Sequence, residues 1–222
     1  VKATDTTDSS GEFSFNLSEF GTHTIYTSKS GYVDSRFYVT SCGNLGNQDG
    51  AISKNLPGPT SMRIVLSWLT TSPQTGRDLD SHIQVPDNST GLLHLHFGVV
   101  NKIISYSATD NVTLDRDETN SPGTETITIV EVKSQKTYSY SVHDYTNLDN
   151  STGHGSGLVG QCCDKLGISE ATVTVFLGSS LPQPEVSPKI YSVPGGAYGN
   201  LWKVFTFTVS GGLSEVGTMH YE

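Results

Sequence analysis

A chain of 222 residues can bury a substantial core and suits one large β domain, or a small one joined to a larger one. Thirteen Lys plus Arg against 22 Asp plus Glu leave a net charge of -9 with no basic cluster, which argues against nucleic acid as a partner. No run approaches the roughly 20 apolar residues that span a bilayer, so no membrane span is expected. Val1 opens no signal pattern, and the expectation is that any signal peptide has been removed.

In chain order, period-two alternation marks Glu12 to Leu17 (EFSFNL), Thr22 to Thr27 (THTIYT), Arg36 to Thr40 (RFYVT), Met62 to Leu69 (MRIVLSWL) and His82 to Val85 (HIQV). It continues through Leu92 to Phe97 (LLHLHF), Thr126 to Val132 (TITIVEV), Thr137 to Val142 (TYSYSV), Ala171 to Leu177 (ATVTVFL) and Trp202 to Val209 (WKVFTFTV). No segment sustains a helical period. Gly and Pro punctuate the gaps, as in KSGY, LPGP, SPGT and VPGG. The fold class is therefore all-β, with β-sandwich domains of Ig-like or jelly-roll-like type. The boundary is placed at Leu56-Pro57-Gly58-Pro59, giving domains 1–58 and 59–222. The Gly-rich stretch Asn147 to Ser169 reads as an elaborated surface loop.

The leading segment carries an Asp-x-x-Gly turn ending at Gly11, an aromatic pair Phe13 and Phe15, Gly21 before Ile25, and Lys29-Ser30-Gly31-Tyr32. Over residues 5 to 40 it resembles the carboxypeptidase regulatory-like, or transthyretin-like, domain. That resemblance implies a small β-sandwich with a leading strand or two, for which only Val1 to Thr7 remain here. A truncated sandwich offers an edge and a groove to another chain's strand. Residues 61–208 carry MRIVLSW, RDLDSHI, HLHFG, TLDRDET, PGTETITI, YSYSVHDYTN, ATVTVFLG and LWKVFTF in order. This second part resembles the YfaP-like β-sandwich domain, which implies a secreted or envelope module without assigned activity. Asn147 to Ser169 and Leu181 to Ile190 read as insertions in that pattern. The tail Ser210 to Glu222, with a Gly-Gly hinge, is the segment best suited to act as a donor strand.

Three cysteines fit no zinc spacing. Adjacent Cys162 and Cys163 bridge each other only under strain, because a disulfide wants Cα atoms roughly 4.4 to 6.8 Å apart. Cys42 is thus expected to form a disulfide with one of them, leaving the other free, buried or available for an intermolecular bond; three reduced thiols are the alternative. N-glycosylation acceptors stand at Asn16, Asn88, Asn111 and Asn150. With N-linked glycans they suit an extracellular or cell-surface location.

Asp78 and Asp80 flank Leu79, and Asp115 and Asp117 flank Arg116, so alternation puts each pair on one strand face. If the two strands are neighbours, the four carboxylates suit calcium, which takes oxygen ligands; the alternative is a solvated acidic face beside Arg77 and Arg116. His94 and His96 also share a face and can offer two imidazoles to zinc or copper, with His82 as a third, or stand as a surface pair. His143 and Asp144 fall on opposite faces and do not make a catalytic base with its orienter. Trp68 and Trp202 are expected in the core, while Tyr138 and Tyr140 are candidates for exposure.

No nucleophile elbow, phosphate loop or H-E-x-x-H motif is present, and no enzyme activity is expected. The leading expectation is a structural subunit of an extracellular fibre or surface assembly, a homopolymer joined to other copies of itself by strand exchange, by Cys crosslinking, or by both. A calcium-dependent carbohydrate-binding or adhesion module is the second reading. An accessory domain of a secreted peptidase is the third.

Overall fold

The computed structural model describes residues 3–44, 52–68, 78–87, 91–119, 122–134, 136–147 and 166–221. Both large sheets and the leading hairpin are antiparallel, and no α-helix occurs among these residues. The chain divides into two compact units, Val1–Ile52 and Ser53–Glu222, a division that falls a few residues before the Pro-Gly-Pro punctuation.

The first unit holds β1 (Gly21–Thr27), β2 (Tyr32–Val33) and β3 (Ser35–Ser41). β1 and β3 pair in register from Gly21 opposite Ser41 to Thr27 opposite Ser35. The turn between them needs Gly31, whose φ of 81° lies where a side chain is strained. The Asp-x-x-Gly motif folds as its chemistry dictates: Asp8 Oδ1 accepts the N–H groups of Ser10 at 2.8 Å and Glu12 at 3.0 Å, and Gly11 turns at φ 83°. Glu12 to Leu17, expected as a strand, has no ladder partner. Its aromatics pack locally instead, Phe13 with its ring 5.5 Å from Phe15 and 6.4 Å from Phe37.

The second unit opens with β4 (Ser53–Lys54) and β5 (Met62–Trp68), then runs β6 (Leu79–Pro86), β7 (Leu92–Leu95), β8 (Ile103–Ser105), β9 (Asn111–Arg116) and β10 (Gly123–Ile129). It continues with β11 (Tyr138–Asp144), β12 (Thr172–Leu177), β13 (Lys189–Ser192), β14 (Leu201–Thr208) and β15 (Gly212–His220). A six-stranded sheet runs β13-β12-β5-β10-β9-β8 and a five-stranded one runs β15-β14-β11-β6-β7. They form a β-sandwich around one continuous core, to which Ile64, Leu66, Trp68 and Ile127 come from the first sheet and Ile83, Val142, Phe205 and Phe207 from the second. β5, flanked on both sides by partners, keeps the expected alternation at Arg63 and Ser67 but buries Val65 as well.

Both tryptophans lie in this core as expected. Tyr138 and Tyr140 do not stand exposed: they are 1% and 2% accessible, because β11 sits in the middle of its sheet and turns these positions inward. Their hydroxyls are satisfied there, Tyr140 with Ser81 Oγ at 2.8 Å and Tyr138 accepting the Lys133 N–H at 2.7 Å. The tail does not project as a free donor strand. It folds back as β15 onto β14 of the same chain, from Gly212 opposite Thr208 to His220 opposite Leu201. Gly199, at φ 142°, lets the chain pass so close to His220 that a Cβ would lie 2.4 Å from its carbonyl oxygen.

A candidate metal centre at the free edge of a central strand

The register of the five-stranded sheet assembles the site. Leu79, Ser81, Ile83 and Val85 of β6 are buried, and alternation puts Asp80, His82 and Gln84 on the opposite face. On one side of β6, β11 sets His143 directly across from Asp80 and Ser141 across from His82. On the other side, β7 sets His94 across from Gln84, diagonal to His82. Four imidazoles therefore converge. The His82 ring lies 4.9 Å from His94, 5.3 Å from His96 and 5.6 Å from His143, and His94 lies 4.8 Å from His96.

The β6–β7 ladder ends at Ile83 opposite Leu95, so among the described residues the start of β6 has no strand partner on that side. The other sheet fills it. Glu125 of β10, completely buried, crosses from that sheet and accepts the backbone N–H of Ser81 at 2.6 Å. Asp117, just past β9, joins it. A register shift between Thr126 and Ile127 in the β9–β10 ladder marks a bulge, which adds a residue and separates Asp117 from Asp115. Asp115 instead accepts the hydroxyls of Thr113 and Thr128, and the Arg63 guanidinium donates to that same Thr128 oxygen at 3.0 Å.

Of the four carboxylates expected together, Asp78, Asp80 and Asp117 thus interact electrostatically and Asp115 stands apart with its own partners. Glu125 and His143 were missing from the sequence-based set. Two ligand groups result, Asp80 with His82 and His143, and Asp80 with Asp117 and Glu125; within each, the donor atoms all lie within 4.8 Å of one another.

The electrostatics show how poorly this site suits free charges. Asp80 is 3% accessible, and its Oδ2 has no hydrogen-bond partner. Burial, then Asp78, Asp117 and Asp144, push its carboxyl up to about 7 against the opposing charge of Lys102. Burial chiefly pushes Glu125 up to about 8, despite the Ser81 N–H, and its Oε1 is unpartnered. Burial and then His94, His143 and His96 hold His82 down to about 3, so the ring is neutral. Its Nδ1 lies 3.0 Å from His94 Nε2, while its buried Nε2 has no partner. A neutral imidazole with an unused nitrogen beside a carboxylate with an unused oxygen is the donor set of a divalent cation.

The other expected sites are placed as follows. Cys42 is exposed and makes no disulfide, while Cys162 and Cys163 lie outside the described residues. Asn16 is exposed and Asn111, half-buried, begins β9 opposite Ser105. Asn88 and Asn150 lie outside the described residues. Among those residues no helix is long and apolar enough to cross a membrane. Comparison of the chain with protein-family models, curated proteins and solved structures finds no match.

Proposed function

We propose that the chain is a non-enzymatic structural component of an extracellular or cell-surface assembly, and that its second unit is a β-sandwich braced by a divalent transition-metal ion on Asp80, His82 and His143. The observation that carries the metal reading is the pairing of two buried, unpartnered ligand atoms, Asp80 Oδ2 and His82 Nε2, in a group whose donors lie within 4.8 Å of one another. Imidazole nitrogens favour zinc and its neighbours over calcium, which prefers an all-oxygen shell. His94 and His96 stand close enough to His82 to complete the shell, and a shell made of protein ligands alone is the structural kind. Such an ion joins β6 to β11 in the sheet and needs no catalytic group. The secreted reading draws on the acceptor sites at Asn16 and Asn111, on the ordered motifs of residues 61–208 and on the Ser/Thr-rich strands.

The test is thermal unfolding of chelator-treated protein with and without zinc, manganese or calcium. At a free ion concentration of 100 times Kd the gain is about 2.7 kcal/mol, or roughly 5 to 11 °C in Tm for a domain of this size. Loss of the zinc shift in His82→Gln supports the reading, and an unchanged wild-type melt with all three ions removes it. Filaments or large particles in electron microscopy and size exclusion support assembly; a monodisperse monomer at high concentration refutes it.

An adhesion module is the second reading, and one feature favours it. Phe97 and Tyr145, both partly exposed, meet edge to face at 5.2 Å next to His96, forming an aromatic rim beside the imidazoles on which a sugar ring can stack. Retention on a glycan array that is abolished by chelation and by Tyr145→Ala supports it.

A further inference from the structure

We infer that Asp80 is a bridging carboxylate between two metal ions, the second held by Asp117 and Glu125 at the place where the two sheets of the second unit meet. The inference builds on the proposed imidazole site and extends it. Asp80 is the one residue common to both ligand groups, and a carboxylate has two oxygens to divide between two cations. Centres with ions roughly 3.5 to 4 Å apart are built on such shared ligands.

Two observations beyond acidity point to a second ion. The first is Glu125: completely buried, anchored through Oε2 by the Ser81 N–H at 2.6 Å, it leaves Oε1 without a partner in the group formed with Asp80 and Asp117. A buried carboxylate held by one oxygen with the other unsatisfied is costly unless something positive meets it. The second is charge balance. Asp78, Asp117 and Asp144 act on Asp80, and Asp80 and Asp117 act on Glu125, while among the described residues Lys102 is the basic side chain that opposes them at Asp80. Lys102 is already engaged through Asp117 Oδ2, which leaves the second Asp117 oxygen for a ligand.

The two positions differ in kind. One offers imidazoles and a carboxylate, the other carboxylates only, so the first suits zinc and the second a harder cation such as manganese, magnesium or calcium.

The test uses the full chain, stripped with chelator and reloaded with zinc alone, with manganese alone, and with both. Metal per chain is read by mass spectrometry after desalting, and manganese by electron paramagnetic resonance. Wild type is expected to hold two ions, with an exchange-coupled manganese signal. Glu125→Gln and Asp117→Asn should each retain one ion, the coupling lost, and His82→Gln should also drop to one. Circular dichroism melts confirm that each variant is folded, and having two second-site variants keeps the test open if one is not. A wild type that holds one ion, unchanged by Glu125→Gln and Asp117→Asn but lost in His82→Gln, overturns the bridging inference and leaves the imidazole site standing. A wild type that holds none removes both.

Discussion

Asp80→Asn should make the metal-free protein more stable and the metal-loaded protein less so. Asparagine fills nearly the same volume, so β6 keeps its register and its packing against β11. The substitution removes a negative charge that is 97% buried by area, leaves one oxygen unpartnered and faces Asp78, Asp117 and Asp144. It also supplies an N–H₂ group that can donate to those carboxyls. Relief of one unsatisfied buried polar group is worth about 1 to 3 kcal/mol, and with roughly 2 to 4 °C per kcal/mol for a domain of this size, Tm should rise by about 2 to 12 °C in chelator. The same change removes the ligand shared by both groups, so added zinc or manganese should no longer shift the melt. The assay is differential scanning calorimetry at neutral pH on wild type and variant, each with chelator and with metal. A variant that melts below wild type in chelator, with the metal response intact, would refute the reasoning and make Asp80 an acceptor that serves the fold.

Other consequences are independent of metal. Burial pushes the phenols of Tyr106 and Tyr191 up to about 12, and pushes those of the core residues Tyr138 and Tyr140 up as well. Since the folded state holds these protons more tightly than the unfolded one, their contribution is intact below pH 10 and is lost as pH rises from 10 through about 12; tyrosinate absorbance should therefore rise together with loss of circular dichroism. Gly178→Ala places a Cβ 2.4 Å from the Pro59 carbonyl oxygen, a backbone clash that should cost about 1 to 3 kcal/mol in chemical denaturation. Cys42, exposed, should be alkylated in the native chain by iodoacetamide; protection that is lifted only by reductant would place it in a disulfide with Cys162 or Cys163.

The strands that were legible in the sequence are those whose two faces differ. β1 alternates half-buried and exposed positions throughout, and Thr22 to Thr27 stands out for that reason. β8 and β13 were not identified, β9 entered only as the strand assumed under Asp115 and Asp117, and β15 was read only as a donor tail. β8 and β13 are short edge strands of three and four residues, and β15 is an edge strand largely open to solvent, so none carries a burial alternation strong enough to read. Glu12 to Leu17 shows the converse. Its alternation is real, but its two phenylalanines pack on each other and on Phe37 and leave no partner strand to satisfy. Periodicity reports which side chains want cover, not what provides it.

The site divides along the same line. Local alternation put Asp80 on its face correctly and correctly set His143 opposite Asp144 in facing, but it could not say that β11 lies beside β6 with His143 across from Asp80. That pairing spans 63 positions of sequence (143 - 80), and neither strand advertises it. Alternation also misplaced Asp115, because it presumes an unbroken ladder, and a single inserted residue in β9 reverses the faces beyond it. Glu125 sits in a Thr/Ile strand where a lone acid reads as a solvent-facing residue, yet its neighbours Gly123 and Ile127 are buried and so is it. A charged residue at an inward position of a strongly alternating strand is therefore the signal that was available. An acid at such a position costs about 1 to 3 kcal/mol or more unless it is met by a counter-charge, and Ser81 offers Glu125 hydrogen bonds but no charge. That imbalance, more than the number of acidic residues nearby, is what the proposed cation would relieve.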